Sequence, residues 1–184
     1  MTNIMENYQL RPIAEQDLRL VLEWRNSETI HSCMLTDHRI TWEEHFNWFQ
    51  RMKSQTPKRN FVFAYRGHPI GYIGYTEFDE ENHTCSPGAY LAPNAAAPTE
   101  AALCLFYTSI DYAFTQLDMI RLNTDVFADN ERALKLDLFL GYEIHHEEDH
   151  HVIKNGHNKL VYRLILDKDH WQSYNGSLTQ YLSL

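Results

Sequence analysis

The spacing of apolar positions along this chain switches repeatedly between the two-residue period of a strand and the three-to-four-residue period of a helix. Tyr8 to Ile13 alternates briefly, and Ala14 to Arg25 then sets Leu18, Val21, Leu22 and Arg25 at helical spacing. Asn26 to Ile40 is polar and irregular, a loop of a length that often carries binding groups. A second amphipathic helix fits Thr41 to Lys53: Thr41 caps it, Glu44 completes a capping box three residues on, and Trp42, Phe46 and Phe49 form its buried stripe. Phe61 to Tyr65 and Ile70 to Phe78 are strands joined by the turn Arg66-Gly67-His68-Pro69. After the acidic turn Asp79 to Asn82, Cys85 to Leu91 reads as the third strand of this meander.

The small-residue loop Ala92 to Ala97 leads into the clearest helix, which has Pro98 near its first turn and Leu103, Phe106, Ile110, Ala113 or Phe114, and Leu117 on one face. Ile120 to Phe127 alternates as a strand, and a helix from about Asn130 to Leu140 stops at Gly141, the left-handed terminator. Tyr142 to Glu147 and Leu160 to Leu166 read as the last two strands, linked through the tight-turn signal Asn155-Gly156. The order predicts a mixed α/β fold: a central sheet of about seven strands with helices on both faces, in one domain over residues 1–168. The polar tail, residues 169–184, is expected to pack on that domain or on a partner.

Charge narrows the partners. Sixteen Lys and Arg stand against 25 Asp and Glu, a net charge of -9, and no basic stripe interrupts this balance. Such a field disfavours nucleic acid and anionic membranes, so an anionic cofactor needs a local donor site. No apolar run approaches the roughly 20 residues that span a bilayer, and Met1 to Arg11 lacks the regions of a signal peptide. Cys33, Cys85 and Cys104 are odd in number and irregularly spaced, which fits reduced thiols and a cytoplasmic location.

The stretch Asn130-Glu131-Arg132-Ala133-Leu134-Lys135-Leu136-Asp137-Leu138-Phe139-Leu140-Gly141-Tyr142, preceded by Leu122-Asn123-Thr124-Asp125-Val126 and by the helix ending Asp111-Tyr112-Ala113-Phe114, resembles the cofactor side of the GNAT N-acetyltransferase superfamily. The element order matches that superfamily from Tyr8 to Leu166. A narrower resemblance is to the aminosugar N-acetyltransferases of bacterial pseudaminic acid synthesis. It is carried by Glu23-Trp24-Arg25-Asn26 leading to His31 and Met34, by Glu44-His45 and Phe49, and by His151-Val152-Ile153-Lys154-Asn155-Gly156 before Val161-Tyr162. It implies transfer of an acetyl group from acetyl-CoA to the 4-amino group of a UDP-linked 4-amino-4,6-dideoxy sugar. Related branches acetylate other nucleotide sugars or ribosomal protein termini, and a peptide amino terminus or a polyamine is the alternative acceptor.

The resemblance places the pantetheine arm along Gly88, Ala89, Tyr90 and Leu91, beside a strand at Asn123 that splays away and leaves backbone groups for a ligand amide. Gly88 has a second reading, relief of strand crowding. The pyrophosphate belongs at the amino end of the next helix, around Ala97, Thr99, Glu100 and Ala101, where free amides and the helix dipole favour anions. Asn130 caps its helix and touches the cofactor, and Ala133 leaves room for it. Two positions depart from the pattern: Glu100 stands on a customary glycine, and Asp137 where a Tyr usually protonates the leaving thiolate. Both also fit a degenerate, non-catalytic binding module.

An ordinary Asp is ionised near neutral pH, so Tyr107, Tyr112 and Tyr142 become alternative acids, Tyr142 foremost. Glu77, His45 and His31 are candidates for the base, with an ordinary surface or capping role as the competing reading. Arg25, Asn26, His31 and Met34 are the candidate acceptor-binding residues, Arg25 and Asn26 offering fixed donors. The run His145-His146-Glu147-Glu148-Asp149-His150-His151 lacks the spacing of a catalytic metal site, so no metal is expected. A homodimer is a further expectation, with the tail as a contributor.

Overall fold

In the computed structural model, which describes residues 3–55 and 59–182, the alternating segments pair into one eight-stranded sheet. The strands are β1 (Tyr8–Pro12), β2 (Asn60–Tyr65), β3 (His68–Asp79), β4 (Thr84–Leu91), β5 (Arg121–Phe127), β6 (Glu143–Ile144), β7 (His150–Lys154) and β8 (His157–Asp167). The helices are α1 (Leu18–Asn26), α2 (Glu28–His31), α3 (Trp42–Gln55), α4 (Ala101–Thr115), α5 (Glu131–Phe139) and α6 (Lys168–Leu182). The spatial order is β1-β2-β3-β4-β5-β8-β6, with β7 also on β8.

The two-residue period of β2 shows how one sheet serves two cores. Phe61 and Phe63 face the larger core, built with Cys104, Leu105 and Ile110 of α4 and with Trp171 and Leu178 of α6. Val62, between them, faces the smaller core of Leu18 and Val21 from α1 and Phe49 and Met52 from α3. Each fully buried aliphatic or aromatic side chain contributes about 1.5–3 kcal/mol relative to exposure. Helices therefore cover both faces, as the sequence order predicts.

Local chemistry sets where the elements start. Asp17 accepts both guanidinium nitrogens of Arg11, at 2.6 and 2.7 Å, and the Ala14 amide at 2.9 Å. This holds Glu15–Asp17 as a 3-10 turn, so α1 begins at Leu18 and not at Ala14. The capping box of α3 is present: the Thr41 amide donates to Glu44 Oε2 at 2.7 Å, and the Glu44 amide donates to Thr41 Oγ1 at 3.2 Å. Pro98 to Glu100 form a turn closed by the Ala101 amide on the Pro98 carbonyl, so α4 starts at Ala101.

Three expectations are corrected. The irregular segment between α1 and α3 contains α2, whose Ser27 cap accepts from the Ile30 amide. The strand read from Tyr142 to Glu147 pairs only at Glu143–Ile144, and a separate strand, β7, intervenes before β8 in a sheet whose eight strands agree with the about seven expected. Asn155-Gly156 joins β7 to β8, with both residues at positive φ (52° and 74°), as a tight hairpin turn requires. The tail is helical and packs on its own domain through Trp171, Leu178 and Leu182.

The feature that positions a site lies mid-sheet. Among the described residues β4 and β5 are the one parallel pair, and they pair only at Thr84 with Arg121 and at Cys85 with Leu122. Beyond that point β4 stays paired to β3 through Leu91, and β5 stays paired to β8 through Phe127. The facing edges of Ser86–Leu91 and Asn123–Phe127 therefore diverge without pairing to each other. Pro87, which lacks an N–H, stands just past the last pair, in keeping with the confinement of strand prolines to interrupted ladders.

Candidate active site

Cavities open on both faces of the sheet beside this divergence. The larger, about 590 Å³, lies on the α1 and α3 face and reaches β4 at Gly88 and Tyr90. Its helical wall is a stripe on α3, Glu44, Asn47, Trp48 and Arg51, spaced so that all four share one face. His45 of α3, Val21 and Arg25 of α1, Met34, His38 and Ile40 of the connecting segment, and Tyr72, Gly74 and Thr76 of β3 complete it. A side chain at Gly74 would displace the Tyr72–Asn60 pair, since a Cβ there would lie 2.6 Å from Tyr72 Oη and 3.0 Å from Asn60 Oδ1. At Gly88 the nearest atom to an added Cβ is 3.9 Å away, so strand crowding does not require that glycine, and a side chain would take up cavity volume instead.

The cavity carries an uneven charge. Arg25 has a buried Nη1 with no hydrogen-bond partner, and burial pulls its guanidinium below its usual range, opposed by the neighbouring Tyr90 and Tyr72. It stays a cation, because an arginine does not deprotonate in proteins. Glu44 is the one carboxylate in the lining, and it is engaged: Oε2 with the Thr41 amide and Oε1 with His38 Nε2 at 3.1 Å. His45 is buried and stacked on Trp48 at 5.0 Å, and its Nε2 has no partner. Burial lowers its pKa, with a backbone hydrogen bond to Leu18 acting the other way, so its imidazole is neutral at neutral pH.

The smaller cavity, about 20 Å³, lies between the diverging strands on the α4 face. Pro87 and Ala89 of β4 face Thr124 of β5 across it, while Ser109 of α4, Asp137 of α5 and Tyr142 close it with Phe106 and Ile110. Burial pushes Asp137 up to about 7. Burial, and then Asp137, raise the Tyr142 phenol well above its ordinary range.

The residues singled out in the sequence are thus distributed over the two faces. Arg25, Met34 and His45 meet Gly88 and Tyr90 around the large cavity; Ala89 and Tyr142 lie in the small one. Asn26 does not line either cavity: its amide group donates to the Ile40 carbonyl at 2.7 Å and accepts the Ile40 amide at 2.9 Å, clamping the segment that holds α2. His31 is buried outside both cavity walls, its Nε2 unpartnered. Glu77, at φ 50° in an irregular stretch of β3, is exposed and accepts from Ser86 Oγ at 2.7 Å. Asn123 follows the last β4–β5 pair along β5 but lines neither cavity, and Leu91 ends β4. Asn130 caps α5 by accepting from the Ala133 amide at 3.3 Å. Ala97, Thr99, Glu100 and Ala101 surround the start of α4, where the Glu100 carboxylate makes no cap and leaves the first-turn amides to other acceptors. Arg51, Tyr72, Thr76, Ser109 and Thr124 escaped the sequence reading, although helical spacing from Glu44 and Trp48 points to Arg51.

A diverging parallel pair, with free backbone on both edges and an uncapped helix start beyond it, fits an amide-bearing arm that ends in phosphates. The model of the acetyltransferase (GNAT) domain matches residues 8–143. The acetyltransferase PseH of Campylobacter jejuni subsp. jejuni serotype O:23/36 is 31% identical over 121 residues, 66% of this chain and 73% of that protein. The chain belongs to the GNAT acetyltransferase family. Among other GNAT relatives, the spermidine N(1)-acetyltransferase of Escherichia coli K12 is 22% identical over 161 residues, 86% of this chain and 84% of that one. The crystal structure of the spermidine N-acetyltransferase from Vibrio cholerae, in complex with CoA and spermine, shares the fold with a TM-score of 0.80 at 19% identity, covering 91% of this chain and 99% of that one. As a GNAT protein the chain is an N-acyltransferase that uses acetyl-CoA. No helix among the described residues is long and apolar enough to cross a membrane, and none of their His, Cys, Asp and Glu side chains gather in a group able to hold a metal ion.

Proposed function

We propose that this protein acetylates a primary amine on an acceptor that also bears anionic groups, the 4-amino group of a UDP-linked 4-amino-4,6-dideoxy sugar. The observation that carries this reading is the buried, unpartnered Nη1 of Arg25 in a cavity that also presents Arg51, while the one lining carboxylate is already engaged. A buried donor without a partner is costly, and a diphosphate or sugar hydroxyl satisfies it. Acetyl-CoA, when bound, supplies an acyl group activated as a thioester. The chain's part is to hold the amine near Gly88 and to take up its proton, for which neutral His45 is the chosen base and Glu77 the second choice. The pantetheine contacts assigned to Gly88–Leu91 and Asn123, the phosphate contacts at Ala97–Ala101, and the roles of Asn130 and Ala133 belong to the same proposal.

A polyamine acceptor is the second reading. On coverage the comparisons favour it: the spermidine N(1)-acetyltransferase match spans 86% of this chain against 66% for PseH. The net charge of -9 also attracts a cation. Thiol release with the aminosugar and with spermidine separates the two. The sugar reading expects the larger kcat/KM with the aminosugar and loss of that preference in Arg25→Ala; a preference for spermidine that survives Arg25→Ala overturns it. A cytoplasmic location and a homodimer complete the proposal, the latter motivated by exposed Leu138 and Phe139 on α5. A sedimentation coefficient of a monomer at micromolar concentration removes the dimer.

A further inference from the structure

Four polar side chains line the small cavity between β4 and β5: Ser109, Thr124, Asp137 and Tyr142. Asp137 differs from the others in chemistry. It is 5% exposed, and none of the side-chain hydrogen bonds or ion pairs among the described residues involves it. A lone buried carboxyl with no cation beside it is a poor core residue, since a hydrophobe of similar volume fills the same space without desolvating a charge. Its position fits another task. Pro87 and Ala89 on one strand and Thr124 on the other border the same cavity, just beyond the last β4–β5 pair at Cys85 and Leu122.

We propose that Asp137 is a catalytic residue that gives its proton to the thiolate leaving the acetyl group. The inference rests on the acetyl-transfer reading. In the step, the amine nitrogen forms a bond to the carbonyl carbon and the carbon–sulfur bond breaks, its electron pair remaining on sulfur. The Asp137 proton goes to that sulfur, the amine loses one proton to the base on the other face of the sheet, and Asp137 recovers a proton from solvent. Atoms and charge balance with no further reactant.

The surroundings decide between Asp137 and Tyr142 as donor. The elements packed around Asp137 present Pro87 and Ala89 from β4, Thr124 from β5, and Phe106, Ser109 and Ile110 from α4. Tyr142 is the one titratable group among them, and there is no cation. With burial as the sole cause, Asp137 rises to about 7 and is about half protonated at neutral pH. A thiol near 8.5 then accepts its proton downhill. Tyr142, held well above the ordinary tyrosine range, would transfer uphill to the same sulfur.

The test uses the full chain and Asp137→Asn, which keeps the shape and removes the acid. Infrared titration of carboxyl-labelled wild type reads the protonation directly, without turnover: a protonated carboxyl band is expected near neutral pH and is expected to be missing in Asp137→Asn. In thiol-release kinetics kcat is expected to fall about 100-fold or more in the variant. The decline of wild-type kcat as pH rises through 7 should vanish with it, while calorimetry finds unchanged acetyl-CoA affinity. A variant with wild-type kcat and pH profile overturns the proposal, as does an Asp137 carboxyl that is fully ionised at about pH 6. If Asp137→Asn does not fold, the wild-type infrared titration decides alone. A wild type that binds no acetyl-CoA in the same calorimetry overturns the acetyl-transfer reading itself, an outcome distinct from an inert Asp137.

Discussion

A carboxyl such as Asp137, buried without a counter-charge, leaves a mark on stability as well as on catalysis. Its folded value of about 7 lies above the ordinary carboxyl value near 4, so the folded chain holds this proton more tightly than the unfolded one. The linked stability is fully present below about pH 4 and is lost as pH rises through about 7, on the order of 4 kcal/mol as an upper bound. Thermal melts at about pH 5 and about pH 8 should therefore differ more for wild type than for Asp137→Asn; equal differences would place an ionised, solvated carboxyl at this position. Arg25 acts on the opposite face. A hydrogen bond to a charged group is worth about 1.5–3 kcal/mol, so Arg25→Ala should raise the KM for an anionic acceptor roughly 10- to 100-fold. Under the proposed assignment of the large cavity to the acceptor, in which Arg25 stands on the α1 wall, calorimetry should find the variant's acetyl-CoA affinity unchanged. Neither effect is legible from residue type. Asp137 reads as an ordinary ionised Asp until α4, β4 and β5 are seen to close over it, and the orphan Nη1 of Arg25 is a property of packing.

At the scale of elements, the segments with sustained periodicity were legible and the ones set by single side chains were not. α3 is readable from its capping box and stripe, and α4 from its long apolar face. Short α2 depends on Ser27 and on the clamp between Asn26 and Ile40, fourteen residues apart, which no local pattern reveals. The β7–β8 hairpin shows a partial reading: Asn155-Gly156 was a turn signal, but the polar run before it hid the strand that the turn serves. Gly156 stands at φ 74° with nothing within 4 Å of an added Cβ, so Gly156→Ala is a test of backbone strain alone. It should cost about 1–2 kcal/mol, lowering Tm while leaving kcat/KM intact, since the turn is not part of either cavity wall. An unchanged Tm would mean that the hairpin contributes little to the fold.

Across the whole molecule, the two cores and the divergence between them make one device. α6 closes the larger core with Trp171, 2% exposed, Leu178 and Leu182, a spacing of seven and four that the polar tail conceals. Trp171→Ala should cost about 3–5 kcal/mol, read as a lower denaturant midpoint, and a near-neutral effect would mean that α6 adds little to the larger core. With the sheet held from both faces, β4 and β5 keep their facing edges apart, and it is in this gap that we propose the acyl donor binds. The most direct test is amide hydrogen exchange with and without acetyl-CoA. The account predicts slowed exchange over Ser86–Leu91 of β4 and Asn123–Phe127 of β5, with β1 and β2 unchanged; exchange in those two segments that is indifferent to saturating acetyl-CoA would contradict it.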